Sequence, residues 1–408
     1  MKLLEKSNFC IYLKQNAEKN SHNGKISAMQ ENDAKKMVPE FSEETCGNGV
    51  QVDFELSSLE WIQTQEKPTY HGWPTLANVG NDKLVIVCSG DREAHVDPYG
   101  KVLMYESCDK GKTWSAPTIL ANGPLDDRDA GIMVTPAGTW LVNYFTSMAF
   151  SAFKTEENTP PRWKEIEDKI TVSLLKKEHG FFMLRSTDQG KSWSPKYRIG
   201  VNNVHGPIVL DDGSLFYCGR AWNTSCMMPS TFAEAIVSMR STDDGLTWEE
   251  VSLYGNSKTG IFAGYQMRDW HEIHSVQAGD GTIITQIRSH SEAPPRTLQM
   301  VSRDRGKTWE DLHPVCGGFP SHLLKLSDGR LLMSYGYRKE NYGNRCRISS
   351  DNGKSWSEPI ILSCNSPAYD LGYPSTAELS DGSLVTVWYE LQIDTGIALL
   401  RCARWKLK

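Results

Sequence analysis

From about residue 53 to the C-terminus, short apolar runs alternate with compact polar clusters. The runs come in pairs around a tight turn. HSVQAGDGTIITQIR (274–288), SHLLKLSDGRLLMSYGYR (321–338) and PSTAELSDGSLVTVWYE (374–390) each read as two strands joined by a two-residue turn. Six such turns occur, at Asn81-Asp82, Ala137-Gly138, Asp212-Gly213, Asp280-Gly281, Asp328-Gly329 and Asp381-Gly382. Residues 1–52 lack this pattern. They are polar, mixed in charge and without hydrophobic period, and read as a poorly ordered tail ahead of one folded unit over 53–408.

A second repeat is interleaved with the hairpins. The pattern S-x-D-x-G-x-[ST]-W returns five times, at Ser107–Trp114, Ser186–Trp193, Ser241–Trp248, Ser302–Trp309 and Ser349–Trp356. Within it, Asp accepts backbone N–H groups of a tight turn and Gly supplies a positive φ. The Trp is placed to anchor the turn in an apolar seam between units. These Asp residues are therefore turn-formers, not catalytic acids. Each unit reads strand, turn, strand, loop, strand, box, strand, which is a four-stranded propeller blade. The expected fold is all-β: a six-bladed β-propeller with five Asp boxes. The sixth blade needs no box if a strand at Leu56–Gln65 closes the ring against the C-terminal run IALLRCARWKL.

Composition narrows the function. The 408 residues carry a formal net charge of -6, which argues against bulk nucleic-acid binding. No apolar run of about 18 residues is present, so no membrane span is expected. The opening MKLLEKSNFCIYLKQNAEKN is interrupted by Glu5, Lys6, Lys14 and Gln15 and reads as no export signal. A cytoplasmic protein is expected, with secretion left open by a different start site. The ten cysteines form no CxxC and read as reduced thiols rather than a zinc or disulfide framework. Asn223-Thr224-Ser225 fits a glycosylation sequon, which carries little meaning without export. No cofactor and no metal site is called for.

Blade geometry locates candidate chemistry. Positions about eight residues before or after each hairpin turn gather at one mouth of the central channel. They are Gly72 and Trp73, Arg128 and Asp129, His205 and Arg220, Glu272 and Arg288, His322 and Arg338, Tyr373 and Tyr389. His71, His271 and His274 fall near the same mouth, and His95 lies in the blade 1 loop. Several arginines around one ring suit an acidic ligand.

The Asp boxes and the six-blade count resemble the sialidase (neuraminidase) superfamily of BNR-repeat proteins, over about residues 56–408. The boxes are specific for the fold and not for activity. The resemblance implies an exo-acting glycoside hydrolase on an acidic sugar, sialic acid or a related carboxylated one, with retention. By resemblance, Tyr373 is the nucleophile, Glu272 its general base and Asp97, in the loop SGDREAHVDPYGK shared with Arg92, the acid/base. Arg288 and either Arg338 or Arg345 clamp the carboxylate. A neutral phenol avoids the repulsion that a carboxylate nucleophile would meet at the carboxylate-bearing anomeric carbon. The chain departs from the family at Gly72, where the motif has an arginine, and Arg128 is placed to stand in. His71, His205 and His322 join the candidate binding residues. Two other classes fit the same residue types: a lyase or hydrolase acting on uronic-acid glycans, and a non-catalytic carbohydrate-binding propeller. The charged segments Lys154–Lys169 and Lys176–Gly180 are expected to be solvated loop, the former able to cover the mouth.

Overall fold

The computed structural model describes residues 47–62, 69–153, 160–221, 235–254, 261–262, 265–266, 270–290 and 296–408. Residues 1–46, the sequon at Asn223, Arg268 and Cys10, Cys46 and Cys226 lie outside them. Strand β1 (Phe54–Ile62) comes first. Blade 1 then comprises β2 (Tyr70–Asn78), β3 (Leu84–Arg92), β4 (Lys101–Ser107) and β5 (Thr118–Ala121). Blade 2 holds β6 (Asp126–Val134), β7 (Trp140–Ser147), β8 (Phe181–Ser186) and β9 (Tyr197–Arg198). Blade 3 holds β10 (Ile208–Val209), β11 (Leu215–Ala221), β12 (Ala235–Ser241) and β13 (Glu249–Tyr254). A small hairpin of β14 (Ile261–Phe262) and β15 (Tyr265–Gln266) precedes blade 4, which holds β16 (Trp270–Gln277), β17 (Ile283–Ser289), β18 (Arg296–Ser302) and β19 (Glu310–Cys316). Blade 5 has β20 (Ser321–Lys325), β21 (Leu331–Tyr337), β22 (Gly343–Ser349) and β23 (Ile360–Ile361). Blade 6 has β24 (Leu371–Glu378), β25 (Ser383–Leu391) and β26 (Ala398–Leu407), and β1 is its outer strand. All pairings are antiparallel, and β1 runs from Phe54↔Leu407 to Ile62↔Leu400.

The boxes behave alike in all five blades. In blade 2 the Ser186 hydroxyl donates to Asp188 (2.8 Å) and accepts from Gly190 N–H. Asp188 then takes the N–H and the hydroxyl of Ser192. The same pattern holds at Asp109, Asp243, Asp304 and Asp351. Each box Trp packs toward the preceding blade. Trp309 meets Phe216 of blade 3, and Trp356 donates its indole N–H to Gln299 of blade 4 at 3.1 Å. Hydrophobic clusters accordingly sit between blades, where sheet faces meet. Among the described residues, Cys88, Cys218, Cys316, Cys346 and Cys402 are buried free thiols, and Cys108 and Cys364 are exposed ones.

Two stretches differ from the sequence reading. The described end of the polar tail is tied down: Asn48 N–H bonds Trp356 C=O and Glu358 N–H bonds Val50 C=O. The segment between β7 and β8 is not simple loop. It holds α1 (Ala149–Phe153), α2 (Pro161–Glu167) and α3 (Val172–Glu178), the last capped by the Thr171 hydroxyl. Trp163 is buried with Leu125, Met148 and Phe150, and Ile166, Ile170 and Leu174 pack alongside. Those residues recur every three or four positions, a helical stripe that the dense interleaved charge obscured. Lys176–Gly180 ends α3 with Glu178 and His179 buried rather than solvated.

Candidate active site

The inner strands set the site. In β2, β6 and β24 the ladder skips at a matching place, between Gly72 and Thr75, Arg128 and Gly131, and Gly372 and Ser375, and β2 shifts once more between Tyr70 and Gly72. The residue inside each bulge has positive φ: Trp73 at 57°, Asp129 at 49° and Tyr373 at 52°. A bulge re-aims a side chain at a sheet end. Strand β16 breaks register at the matching place, between Trp270 and Ile273, and there it carries Glu272.

Glu272, Arg288 and Tyr373 meet directly. The Tyr373 hydroxyl donates a short hydrogen bond to Glu272 Oε1. Arg288 Nη1 donates to both Glu272 oxygens, at 3.0 and 3.2 Å, and to the Tyr373 hydroxyl at 3.0 Å. Burial, then the nearby Glu272 charge, pushes the Tyr373 phenol well above its ordinary value. Burial alone would raise Glu272, but the Arg288 guanidinium and the Tyr373 hydroxyl outweigh it and hold the carboxyl at about 2. The pair therefore rests as neutral phenol and carboxylate, with the carboxylate aligned to take the phenol proton.

Two further guanidinium groups border Tyr373. Arg338 donates from Nη2 to Leu371 C=O at 2.6 Å and lies over the Tyr373 ring at 5.8 Å, between Phe319 and Tyr369. Arg128 lies over Trp73 at 4.2 Å. Nε of Arg128, Arg288 and Arg338 is buried without a hydrogen-bond partner. Arg345 sits on β22, away from this group, stacked on the Tyr337 ring at 3.4 Å. Of the two candidates for that arginine, Arg338 is the one brought to Tyr373.

The surroundings of Gly72 are aromatic. An added Cβ would lie 3.5 Å from the Tyr70 ring and 3.7 Å from Tyr389. Behind them Asp370, which the sequence reading missed, accepts from the Tyr70 hydroxyl (2.6 Å) and the Tyr389 hydroxyl (2.9 Å) and pairs with His95 (3.1 Å). Burial opposes its charge, but His95 and the two phenols pull its carboxyl well below the ordinary range. No turn or repeat flagged Asp370. Only its place three residues before Tyr373 could have.

Asp97 is placed differently from the role the resemblance implies. Its Oδ1 accepts Tyr99 N–H (3.0 Å), and its Oδ2 accepts Glu93 N–H (2.8 Å) and Arg162 Nη2 (2.6 Å) from α2. Its carboxylate thus fastens the blade 1 loop to the helical insert. Arg92 is equally engaged. Its guanidinium makes a buried bidentate pair with Asp126 at 2.5 and 2.8 Å and also reaches the Asp97 and His95 carbonyls.

The histidines divide. His71 donates from Nδ1 to Thr69 C=O and packs on Tyr105 within blade 1. His205, His274 and His322 cluster, with ring centroids 4.7 to 5.2 Å apart. Nδ1 of His274 accepts Leu323 N–H, and Nδ1 of His322 accepts Thr376 N–H. Each of these bonds fixes the ring proton on Nε2, the wrong tautomer for a metal at that nitrogen. Burial lowers all three, His322 to about 3, so they are neutral. Among the described residues no group of His, Cys, Asp or Glu has the geometry of a metal site. His271 pairs with Arg220 at 3.0 Å and stacks edge-on to His290.

A family model of a BNR repeat-like domain matches residues 169–386, more than half of the chain. A sialidase of Clostridium perfringens is 27% identical over 202 residues, covering 43% of this chain and 52% of that protein. A sialidase of Bacteroides fragilis (strain YCH46) is 26% identical over 209 residues, covering 43% and 36%. The chain thus aligns with about half or less of the length of these curated relatives. A protein of unknown function from Dyadobacter fermentans DSM 18053 superposes with a TM-score of 0.68 at 19% identity, over 87% of this chain and 99% of that one. The NanB sialidase of Streptococcus pneumoniae superposes with 0.61 at 13% identity, over 86% and 70%. At these identities the structural likeness speaks for the fold. The repeats, the six blades and the family match agree: the chain belongs to the BNR-repeat, sialidase superfamily.

Proposed function

We propose that the protein is a glycoside hydrolase that removes a terminal acidic sugar with retention of configuration. The observation that carries this reading is the hydrogen-bonded set of Tyr373, Glu272 and Arg288 at the channel mouth. Tyr373 Oη attacks the anomeric carbon while Glu272 takes its proton, and the bond to the leaving oxygen breaks. Arg288 and Arg338 receive the sugar carboxylate, and Arg128 supplies a third positive charge from blade 2. Trp73, buried between Arg128 and Arg92, holds the Arg128 guanidinium over its ring and so fixes where that charge is presented. With Gly72 facing Tyr70 and Tyr389 where the family motif has an arginine, the site is less cationic there, and Arg128 makes up that charge from blade 2.

The test is hydrolysis of a fluorogenic sialoside. Wild type is expected to turn it over, Tyr373→Phe and Glu272→Gln to lose at least about 100-fold in kcat/KM, with circular dichroism unchanged. A wild type inert on sialosides but releasing near-UV-absorbing products from uronate glycans would replace this reading with a lyase. Binding of sialic acid without turnover, undiminished in Glu272→Gln, would replace it with a binding module.

A further inference from the structure

Every proton in the retaining scheme has a carrier except the one needed by the leaving group. Asp97 has both oxygens engaged by loop N–H groups and Arg162. Asp129 does not. It lies in the β6 bulge with its side chain largely buried, and its Oδ1 has no hydrogen-bond partner. The nearest cation to that atom is Arg128 Nε, at 3.7 Å. Its backbone is pinned by N–H donation to Ser89 Oγ at 2.8 Å, so its direction is fixed. Glu272, Tyr373 and Asp129 stand on blades 4, 6 and 2, alternate blades of the ring, each at the bulge that opens its inner strand.

Resting on the hydrolase reading above, we propose that Asp129, rather than Asp97, is the acid that protonates the leaving oxygen. In the first half-reaction the Asp129 proton passes to the departing oxygen as Tyr373 Oη bonds to the anomeric carbon and Glu272 takes the phenol proton. In the second, the Asp129 carboxylate takes a proton from water. The water oxygen bonds to the anomeric carbon, the bond to Tyr373 Oη breaks, and Glu272 returns its proton to the phenolate. The net reaction is hydrolysis, and all three groups end as they began. The local electrostatics agree. Burial, aided by the Glu272 charge and opposed by Arg128, raises Asp129 to about 6. Arg128 is then in place to steady the anion that forms when the proton leaves.

Leaving groups separate this role from a structural one. An aryl sialoside departs without protonation, whereas an alkyl-linked one such as sialyllactose does not. Asp129→Asn preserves shape, and asparagine tolerates positive φ. The expected result is a loss of roughly 10²–10⁴-fold in kcat/KM on sialyllactose. On the aryl substrate the loss is under about tenfold, and the fall of activity with rising pH disappears. Asp97→Asn is expected to affect both substrates alike. Selective loss of sialyllactose hydrolysis in Asp97→Asn, or equal losses on both substrates in Asp129→Asn, overturns the assignment and leaves the hydrolase reading standing. No turnover of either substrate by wild type overturns both.

Discussion

A non-glycine residue with φ near +50° costs of order 1–3 kcal/mol and persists only where surrounding structure imposes it. Here three such residues, Trp73, Asp129 and Tyr373, occupy the same bulge in three blades. They supply the buried ring that supports Arg128, the proposed acid and the proposed nucleophile. The protonation states then set a pH window. Glu272 must be ionised to accept a proton, so activity is retained down to about pH 2, where its carboxyl titrates. Asp129 must be protonated to donate, so activity falls as pH rises through about 6. A kcat/KM profile on an alkyl-linked substrate should therefore be bell-shaped and acidic, and a plateau extending through pH 8 would contradict it. Glu272, Arg288 and Tyr373 were legible in the sequence because a strand is a ruler. Eight residues from a hairpin turn is the same channel end in every blade. Asp97 and Asp129 could not be ranked that way, since what separates them is a partner, Arg162, supplied by a distant helix.

At the scale of elements, the Asp box is a turn stabilised by a charged acceptor. In the blade 2 box the Ser192 hydroxyl and N–H hold Asp188 at about 2, below its ordinary 3.8. A depressed carboxyl contributes stability that is complete above the ordinary value and lost as pH falls through the folded one. Asp188→Ala should therefore lower the melting temperature at pH 6, and the gap to wild type should close as the pH approaches 2. A gap that stays constant would assign the box's contribution to shape alone. Boxes and hairpins were readable because both are short, local and repeated. The helical insert was not. Its apolar stripe of Trp163, Ile166, Ile170 and Leu174 is diluted by charge, and it gains its partners Leu125, Met148 and Phe150 only in the folded blade.

At the scale of the molecule, the ring is fastened by one non-local pairing. Among the described strands β1 pairs with β26 alone, and Val52, Phe54 and Leu59 pack on the cluster that holds Trp388 and Trp405. Deleting residues through Ile62 would leave β26 as a long unpaired edge, which invites association. The expected outcome is a lower melting temperature and a shift to larger species in gel filtration. An unchanged elution volume and melting temperature would mean that the five continuous blades suffice. The closing pair also carries a consequence for synthesis. Ser58 and its partner Arg404 are 346 residues apart. At translation rates of roughly 5–20 residues per second, β1 waits about 20–70 s on the ribosome before its partner emerges. For that interval it is a nascent strand without a sheet, and its sequence FELSSLEWI, punctuated by Glu55 and Glu60, carries the negative charge that keeps such a strand from pairing with its neighbours on a polysome.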